Sequence, residues 1–414
     1  MNTAVSVLTR SAAAMRPAQA APSPTRYQIC VRCIMDTTDP AIVFDERGVC
    51  NHCKLIADNR DRYWLPDERG RAKLEALIAE IKQAGWGRDY DCIMGLSGGV
   101  DSSYLAMKAH EWGLRVLAVH IDGGWNTQIA VRNIERMVAE LGFDLYTFVI
   151  DWEEMRDLQI AFLKAGVPNQ DVPQDHAFFA GLYREAARQR IRYVLTGGNY
   201  ATESILPAAW GYSAMDLIHL RAINMQFGSR PLRKFPQLGF FYFNFYLPKI
   251  KKVRIVAPLD LMPYSKSEAI RELHHKFGWQ YYGGKHYESR FTRFLQAYYL
   301  PTRFGFDKRR AHLSSLVASG EISRERALAE MQQPLYEPAE LEQDKEFVLK
   351  KLGLNEREFA TLLSAPLRQH CELPTDEWLH RIRYAPTLTK RAGIAIEHFA
   401  DKSRKRRTLG CGRT

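Results

Sequence analysis

From residue 90 onward the chain alternates between short unbroken apolar runs and stretches of helical periodicity. The runs are YDCIMGL (90–96), RVLAVHI (115–121), LYTFVI (145–150) and RYVLTG (192–197), and helical patterns lie between them, notably at 102–113, 127–142 and 175–190. Continuous apolar runs of this length fit strands buried on both faces, and strands alternating with helices build a parallel sheet covered on each side. In such sheets ligands bind beyond the carboxyl ends of the strands. Three of the four runs finish in Gly-rich or polar stretches: SGGVDSS after the first, DGGWN after the second, GGNYATE after the fourth. Their convergence predicts a binding crevice.

The first of these loops defines the ligand chemistry. Gly98 and Gly99 remove Cβ atoms where a backbone must approach an anion, and the helix that follows offers free N–H groups at its positive end. Ser97 and Ser102 add hydroxyl donors, so a phosphate is expected. The loop has neither the Lys-Ser/Thr of GxxxxGK[ST] nor the spacing of GxGxxG, which excludes a Walker A site and a dinucleotide fingerprint.

Four cysteines cluster before the sheet. Cys30-x2-Cys33, sixteen residues, then Cys50-x2-Cys53 is the spacing of a four-thiolate zinc site, with a turn at Arg47-Gly48 as in a short ribbon hairpin. Four thiolates leave no open coordination position, so the zinc is expected to be structural. Cys92 reads as a core residue, and Cys371 and Cys411 carry no pattern. After residue 204 helical periodicity dominates, with Ser265-x-x-Glu268 as a capping box and GEISRERALAEM as a helix start. The aromatic segment 238–247 (LGFFYFNFYL) reads as helix-packing core, with a docking face for a second subunit as the alternative.

Composition narrows the setting. The 414 residues are 46% hydrophobic, enough for more than one domain, and no apolar run approaches the roughly 18 residues of a membrane span. The first 28 residues, rich in Ala, Ser and Pro, read as a disordered tail without the apolar core of a secretion signal, and a cytoplasmic location is expected. The net charge of +11 is uneven: eight Lys/Arg and no acid lie between Arg221 and Arg254, and 401–414 carries six more against one Asp. Such clusters suit a phosphate-bearing partner.

SGGVDSS matches the pyrophosphate loop of the ATP pyrophosphatases, the PP-loop superfamily that includes GMP, NAD and asparagine synthetases and the tRNA thiolases. More closely, the chain resembles the bacterial N-acetyl sugar amidotransferases. That likeness rests on the Cys quartet before the loop, TGGNYATES (196–204), and the long stretch 277–328 beginning FGWQYYGGKHYESRF, and spans roughly Cys30 to residue 375. It implies an α/β fold with a parallel doubly wound PP-loop sheet, an N-terminal zinc ribbon and a C-terminal helical region. The expected organisation is a tail (1–28), the ribbon (29–60), the ATP pyrophosphatase domain (61–204), a mostly helical substrate domain (205–335) and a helical extension with a basic tail (336–414).

The resemblance implies an enzyme that uses ATP, Mg²⁺ and ammonia to turn the acetamido group of a sugar or nucleotide sugar into an acetamidino group, for O-antigen, capsule or flagellin glycans. Ser97, Gly98, Gly99 and Ser102 would hold the outer phosphates, with Gly197, Gly198, Asn199 and Asp122 also lining the nucleotide. Asp101 would orient the loop or hold magnesium, with Glu203 as the second magnesium candidate. Lys285 would stabilise the α-phosphate, His286 or Glu288 would manage the ammonia proton, and Arg290, Lys308, Arg309 and Arg310 would bind substrate. Ammonia would come from a separate glutaminase subunit, with a cyclase-like channel protein as a further partner. Asn2 rather than a cysteine follows Met1, and Cys411 in LGCGRT has no helix after it to make a nucleophile elbow. Nucleic acid is not an expected partner on this reading. The rival readings are a tRNA-modifying, thiolase-like enzyme and a non-catalytic nucleotide-binding subunit.

Overall fold

The computed structural model describes residues 27–381. Nearly all of the expected N-terminal tail, the basic segment 401–414 and Cys411 therefore lie outside the described residues.

Five parallel strands form one sheet in the order β3-β2-β1-β4-β5: β1 (Cys92–Gly95), β2 (Val116–Asp122), β3 (Asp144–Val149), β4 (Tyr193–Leu195) and β5 (Arg254–Val256). β1 lies at the centre, with Gly95 beside Val119 of β2 and Met94 beside Leu195 of β4. The chain winds outward from β1 through β2 and β3, then returns to place β4 on its other side. That reversal opens a crevice between the carboxyl ends of β1 and β4.

Side chains alternate across this sheet. Ile93, Leu117 and Val119 join a core with Met155, Leu158 and Phe162 of helix Trp152–Ala165 and with Ala177, Ala180 and Tyr183 of helix Val172–Arg188. Met94 and Ala118 face the opposite way, against helices Val100–Glu111, Gln128–Leu141 and Lys266–Phe277. Burying each of these aliphatic side chains contributes about 1.5–3 kcal/mol. Both faces are covered, so the doubly wound parallel sheet is as expected.

Three elements differ from the sequence expectation. β3 is an edge strand, exposed along alternate positions rather than buried on both faces. β5 is a strand within a region read as helical; its three residues pair with Tyr193, Val194 and Leu195. The aromatic segment winds as a π-helix, Tyr242–Ile250, and leaves Phe241 and Phe245 exposed instead of packed in the core. Ser265 does cap its helix, its hydroxyl accepting from the Glu268 N–H at 3.3 Å, while the Glu268 carboxylate turns to Arg271.

Candidate phosphate-binding and catalytic site

The loop after β1 takes its shape from glycine. Gly98 has φ +78°, and a Cβ there would lie 2.5 Å from the Ala130 carbonyl oxygen of the neighbouring helix. A Cβ on Gly99 would meet Ser97 Oγ at 3.1 Å and Glu288 Oε1 at 3.2 Å. Gly99 is the N-cap of helix Val100–Glu111 and supplies no side-chain cap, so the helix start keeps N–H groups for an anion. The two serines hold the loop meanwhile. Ser102 Oγ donates to the Gly99 carbonyl at 3.2 Å, and the Gly99 N–H donates to Ser97 Oγ at 3.2 Å.

The loop after β4 closes over the same point. A Cβ on Gly197 would approach the Asp101 carbonyl carbon and Ser102 nitrogen at 3.0 Å, so this glycine lets the two loops touch. Asn199 accepts from the Thr202 N–H at 3.0 Å and donates to Asp101 Oδ1 at 3.4 Å. The Tyr264 hydroxyl also donates to Asp101 Oδ1. Lys285 Nζ stands 2.8 Å from Glu203 Oε1 and donates to the Thr202 carbonyl at 3.3 Å. Burial pushes the Asp101 carboxyl up, with Lys285 opposing and Glu203 adding to the rise. For Glu203 burial acts in the same direction, but the charges of Lys285 and His286 outweigh it and hold the carboxyl low. Asp122, at the end of β2, accepts from the Gly124 N–H at 2.7 Å and shapes the next turn.

A third wall comes from the segment after helix Lys266–Phe277. Its backbone zips onto the β2 loop: Thr127 donates to the Glu288 carbonyl at 2.8 Å and Arg290 donates to the Trp125 carbonyl at 2.9 Å. The Tyr282 hydroxyl accepts from the Val100 N–H at 3.3 Å. His286 has φ +62°, a left-handed conformation costing a non-glycine residue about 1–2 kcal/mol, and its Nδ1 lies 3.8 Å from Glu288 Oε1. Burial raises the Glu288 carboxyl, but the His286 hydrogen bond and charge outweigh it and keep it ionised, while Oε2 is buried without a partner.

The structure thus gathers Ser97, Gly98, Gly99, Asp101, Ser102, Gly197, Gly198, Asn199, Glu203, Lys285, His286 and Glu288 around one cleft. It also brings in residues the sequence did not single out. The Lys266 ammonium is depressed first by burial and then by Lys285, with Asp101 pulling the other way, so two lysines face one acid. The His312 imidazole is pushed well down by burial and by the neighbouring lysines, and its ring lies 5.9 Å from that of His286. Asp175 sits on helix Val172–Arg188, and burial plus the charge of Asp171 push its carboxyl up to about 7, against Lys308 and His286.

The four expected substrate-binding cations separate. Lys308 acts on both Asp175 and His312. Arg309 pairs with Asp307 at 2.8 Å and lines a cavity of about 440 Å³ shared with Lys285, Tyr287, His312 and Tyr336. Arg290 is engaged elsewhere, 2.6 Å from Asp344 and over the Phe347 ring. Arg310 is also turned away, bound to Asp36 at 3.0 Å and to the Ile34 carbonyl at 2.7 Å.

Asp36 and Ile34 belong to the cysteine ribbon. Cys30, Cys33, Cys50 and Cys53 are buried with all four sulfurs within 4.8 Å of one another. Cys30 and Cys53 Sγ are 3.9 Å apart, and Cys33 and Cys50 Sγ 3.7 Å. Tetrahedral zinc with bonds of about 2.3 Å separates its sulfurs by about 3.8 Å, so the quartet fits that ion. Arg32, Cys33 and Cys50 point their N–H groups at Cys30 Sγ, as a thiolate requires. Helix Arg309–Ser319 links ribbon to cleft: Ser314 Oγ accepts from Ile34 N, Ser315 Oγ accepts from Ile205 N, and His312 lines the same cavity as Lys285.

Residues 288–385 match the family model described as LPS biosynthesis protein WbpG-like, C-terminal domain, and the match overlaps the stretch 277–328. No curated protein matches the chain. Among solved structures the chain is similar to the NMN synthetase of Francisella tularensis, at 15% identity over 52% of this chain and 90% of that one, with a TM-score of 0.28. It is likewise similar to the NH3-dependent NAD synthetase of Campylobacter jejuni, at 15% identity over 64% and 97%, with a TM-score of 0.31. The assignment of a parallel, doubly wound sheet rests on the strand order itself.

Proposed function

We propose that the chain is an ATP-dependent, AMP-forming amidotransferase that converts the acetamido group of a sugar or nucleotide sugar into an acetamidino group during surface-glycan synthesis. The observation that carries this reading is one cleft where a helix start with glycine at its N-cap meets Asp101, Glu203, Lys266 and Lys285 at the crevice between β1 and β4. The match of 288–385 to a lipopolysaccharide-biosynthesis domain supports the glycan setting.

An amide oxygen is a poor leaving group, so ammonia cannot displace it directly. In the proposed reaction that oxygen attacks the α-phosphorus of ATP; an O–P bond forms, the bond to pyrophosphate breaks, and the amide N–H loses its proton. Ammonia then adds to the imidate carbon, gives up a proton, and the C–O bond to AMP breaks. The protein's part is positioning and charge stabilisation. The loop 97–102 holds the outer phosphates, and Lys285 and Lys266 meet charge developing on the inner one. Asp101 and Glu203 are the residues to hold Mg²⁺, which neutralises polyphosphate charge when bound. Glu288, paired with His286 and carrying an unpartnered oxygen, accepts the ammonia proton. Lys308 and Arg309 lie on the side of the cleft suited to the sugar's anionic carrier.

The ammonia comes from a separate glutaminase. Cys92 is fully buried in β1 and burial raises its thiol, which suits packing rather than nucleophilic attack. The purified chain is to be given ATP and a panel of acetamido sugars with either ammonium or glutamine. Ammonium alone should support replacement of oxygen by NH in the sugar, read by mass, with AMP release. Equal turnover with glutamine would remove the glutaminase partner; no mass change with any sugar would remove the reaction.

A further inference from the structure

We propose that the π-helix Tyr242–Ile250 and the lysines that follow it form a surface that docks on an anionic lipid bilayer. The π winding is the first reason. Its i to i+5 hydrogen bonds bring residues four or five apart onto one face, so Phe241, Phe245, Tyr246 and Ile250 line up. In an α-helix at about 100° per residue, Ile250 would stand about 180° from Phe241 and the row would break. The row is exposed: Phe241 by 65%, Phe245 by 45% and Ile250 by 69%. Phe241 and Phe245 stack on each other at 5.9 Å between ring centroids. The opposite side is buried, with Leu247 in the core and Phe243 against Tyr183 at 5.5 Å. The element is therefore amphipathic, with its apolar row outward.

Charge selects the occupant. Of the basic residues between Arg221 and Arg254, Arg230, Lys234 and Arg254 already pair with Glu153, Asp151 and Glu80. Lys249, Lys251 and Lys252 lie beside Ile250, and among the described residues none of them pairs with a carboxylate. Lys251 rests against the Tyr246 ring at 5.6 Å, and Lys252, at φ +57°, turns the chain at the end of the helix. Aromatic and aliphatic side chains rimmed by unpaired lysines match an interface of acyl chains and anionic headgroups. His380, next to the last described residue, packs on Phe240 at 4.8 Å, beside the same patch. No described helix is long and apolar enough to cross a membrane, which fits a surface contact.

The test is flotation of the full-length chain with vesicles of phosphatidylcholine alone or of equal parts phosphatidylcholine and phosphatidylglycerol. The account expects binding to the anionic vesicles only, released by salt. The pair F241S/F245S and the triple K249E/K251E/K252E should each weaken it at least about tenfold while the far-ultraviolet spectrum stays unchanged. Absence of binding at low salt would overturn the proposal, as would binding that both variants retain. Self-association lost in F241S/F245S, without vesicle binding, would overturn it too and give the face to a second copy of the chain.

Discussion

Lys266, at the start of helix Lys266–Phe277, and Lys285, in the segment beyond it, both act on Asp101. Lys285 is fixed by Glu203 and the Thr202 carbonyl, whereas burial and like charge depress Lys266. Two cations beside Asp101 are tolerable together if polyanion charge joins them. Lys266→Ala and Lys285→Ala should each lower kcat/KM for pyrophosphate release by about 10²–10³-fold. Loss confined to KM for ATP would mean that Lys266 binds ATP equally in the ground and transition states. Asp260 offers a separate test. Its Oδ1 accepts from the Tyr200 N–H at 2.7 Å, and burial pushes its carboxyl from 3.8 up to about 7. The folded state thus holds the proton more tightly than the unfolded one, and stability is lost as pH rises through that window. Asp260→Asn keeps the acceptor and removes the ionisation, so it should stabilise by roughly 2–4 kcal/mol at about pH 8 and hardly at all near pH 4. Thermal unfolding at both pH values decides it; an equal shift at each would refute the account.

At the scale of elements, the loop after β1 and the cysteine ribbon carry the sharpest consequences. Gly98→Ala asks for a left-handed alanine with its Cβ 2.5 Å from Ala130 O, and should destabilise by about 2–3 kcal/mol in denaturant unfolding. The ribbon reaches the cleft through helix Arg309–Ser319, whose Arg310 and Ser314 hold Asp36 and Ile34. Chelation, or Cys33→Ser, should therefore release stoichiometric zinc, lower the Tm and abolish turnover together. Retained activity in the zinc-free chain would break that link. These elements were legible because their signals are local: two glycines at a strand end, two CxxC pairs, four unbroken apolar runs. β5 was not, since a three-residue strand among the five residues between KK and a proline carries no period. The π-helix has a row that neither an α nor a β period reveals. Lys266, His312 and Asp175 sit on helices whose own patterns suit ordinary surfaces or cores, Tyr264 lies in the turn just before one, and only the fold brings them together.

Across the whole molecule, the sheet crevice, the ribbon-braced helix and the segment 282–290 enclose the cleft, while the exposed aromatic row belongs to the π-helix that leads into β5. That division separates chemistry from docking: the F241S/F245S pair should leave pyrophosphate release within about twofold of the parent chain, because it touches no phosphate-facing group. The central claim concerns which phosphorus is attacked, and the fate of the nucleotide reports it directly. With an acetamido sugar, ammonium, Mg²⁺ and ATP labelled at the α- and γ-phosphates, the α-label should appear in AMP and the γ-label in pyrophosphate, both dependent on the sugar. Release of ADP with inorganic phosphate, or pyrophosphate formation indifferent to the sugar, would contradict it.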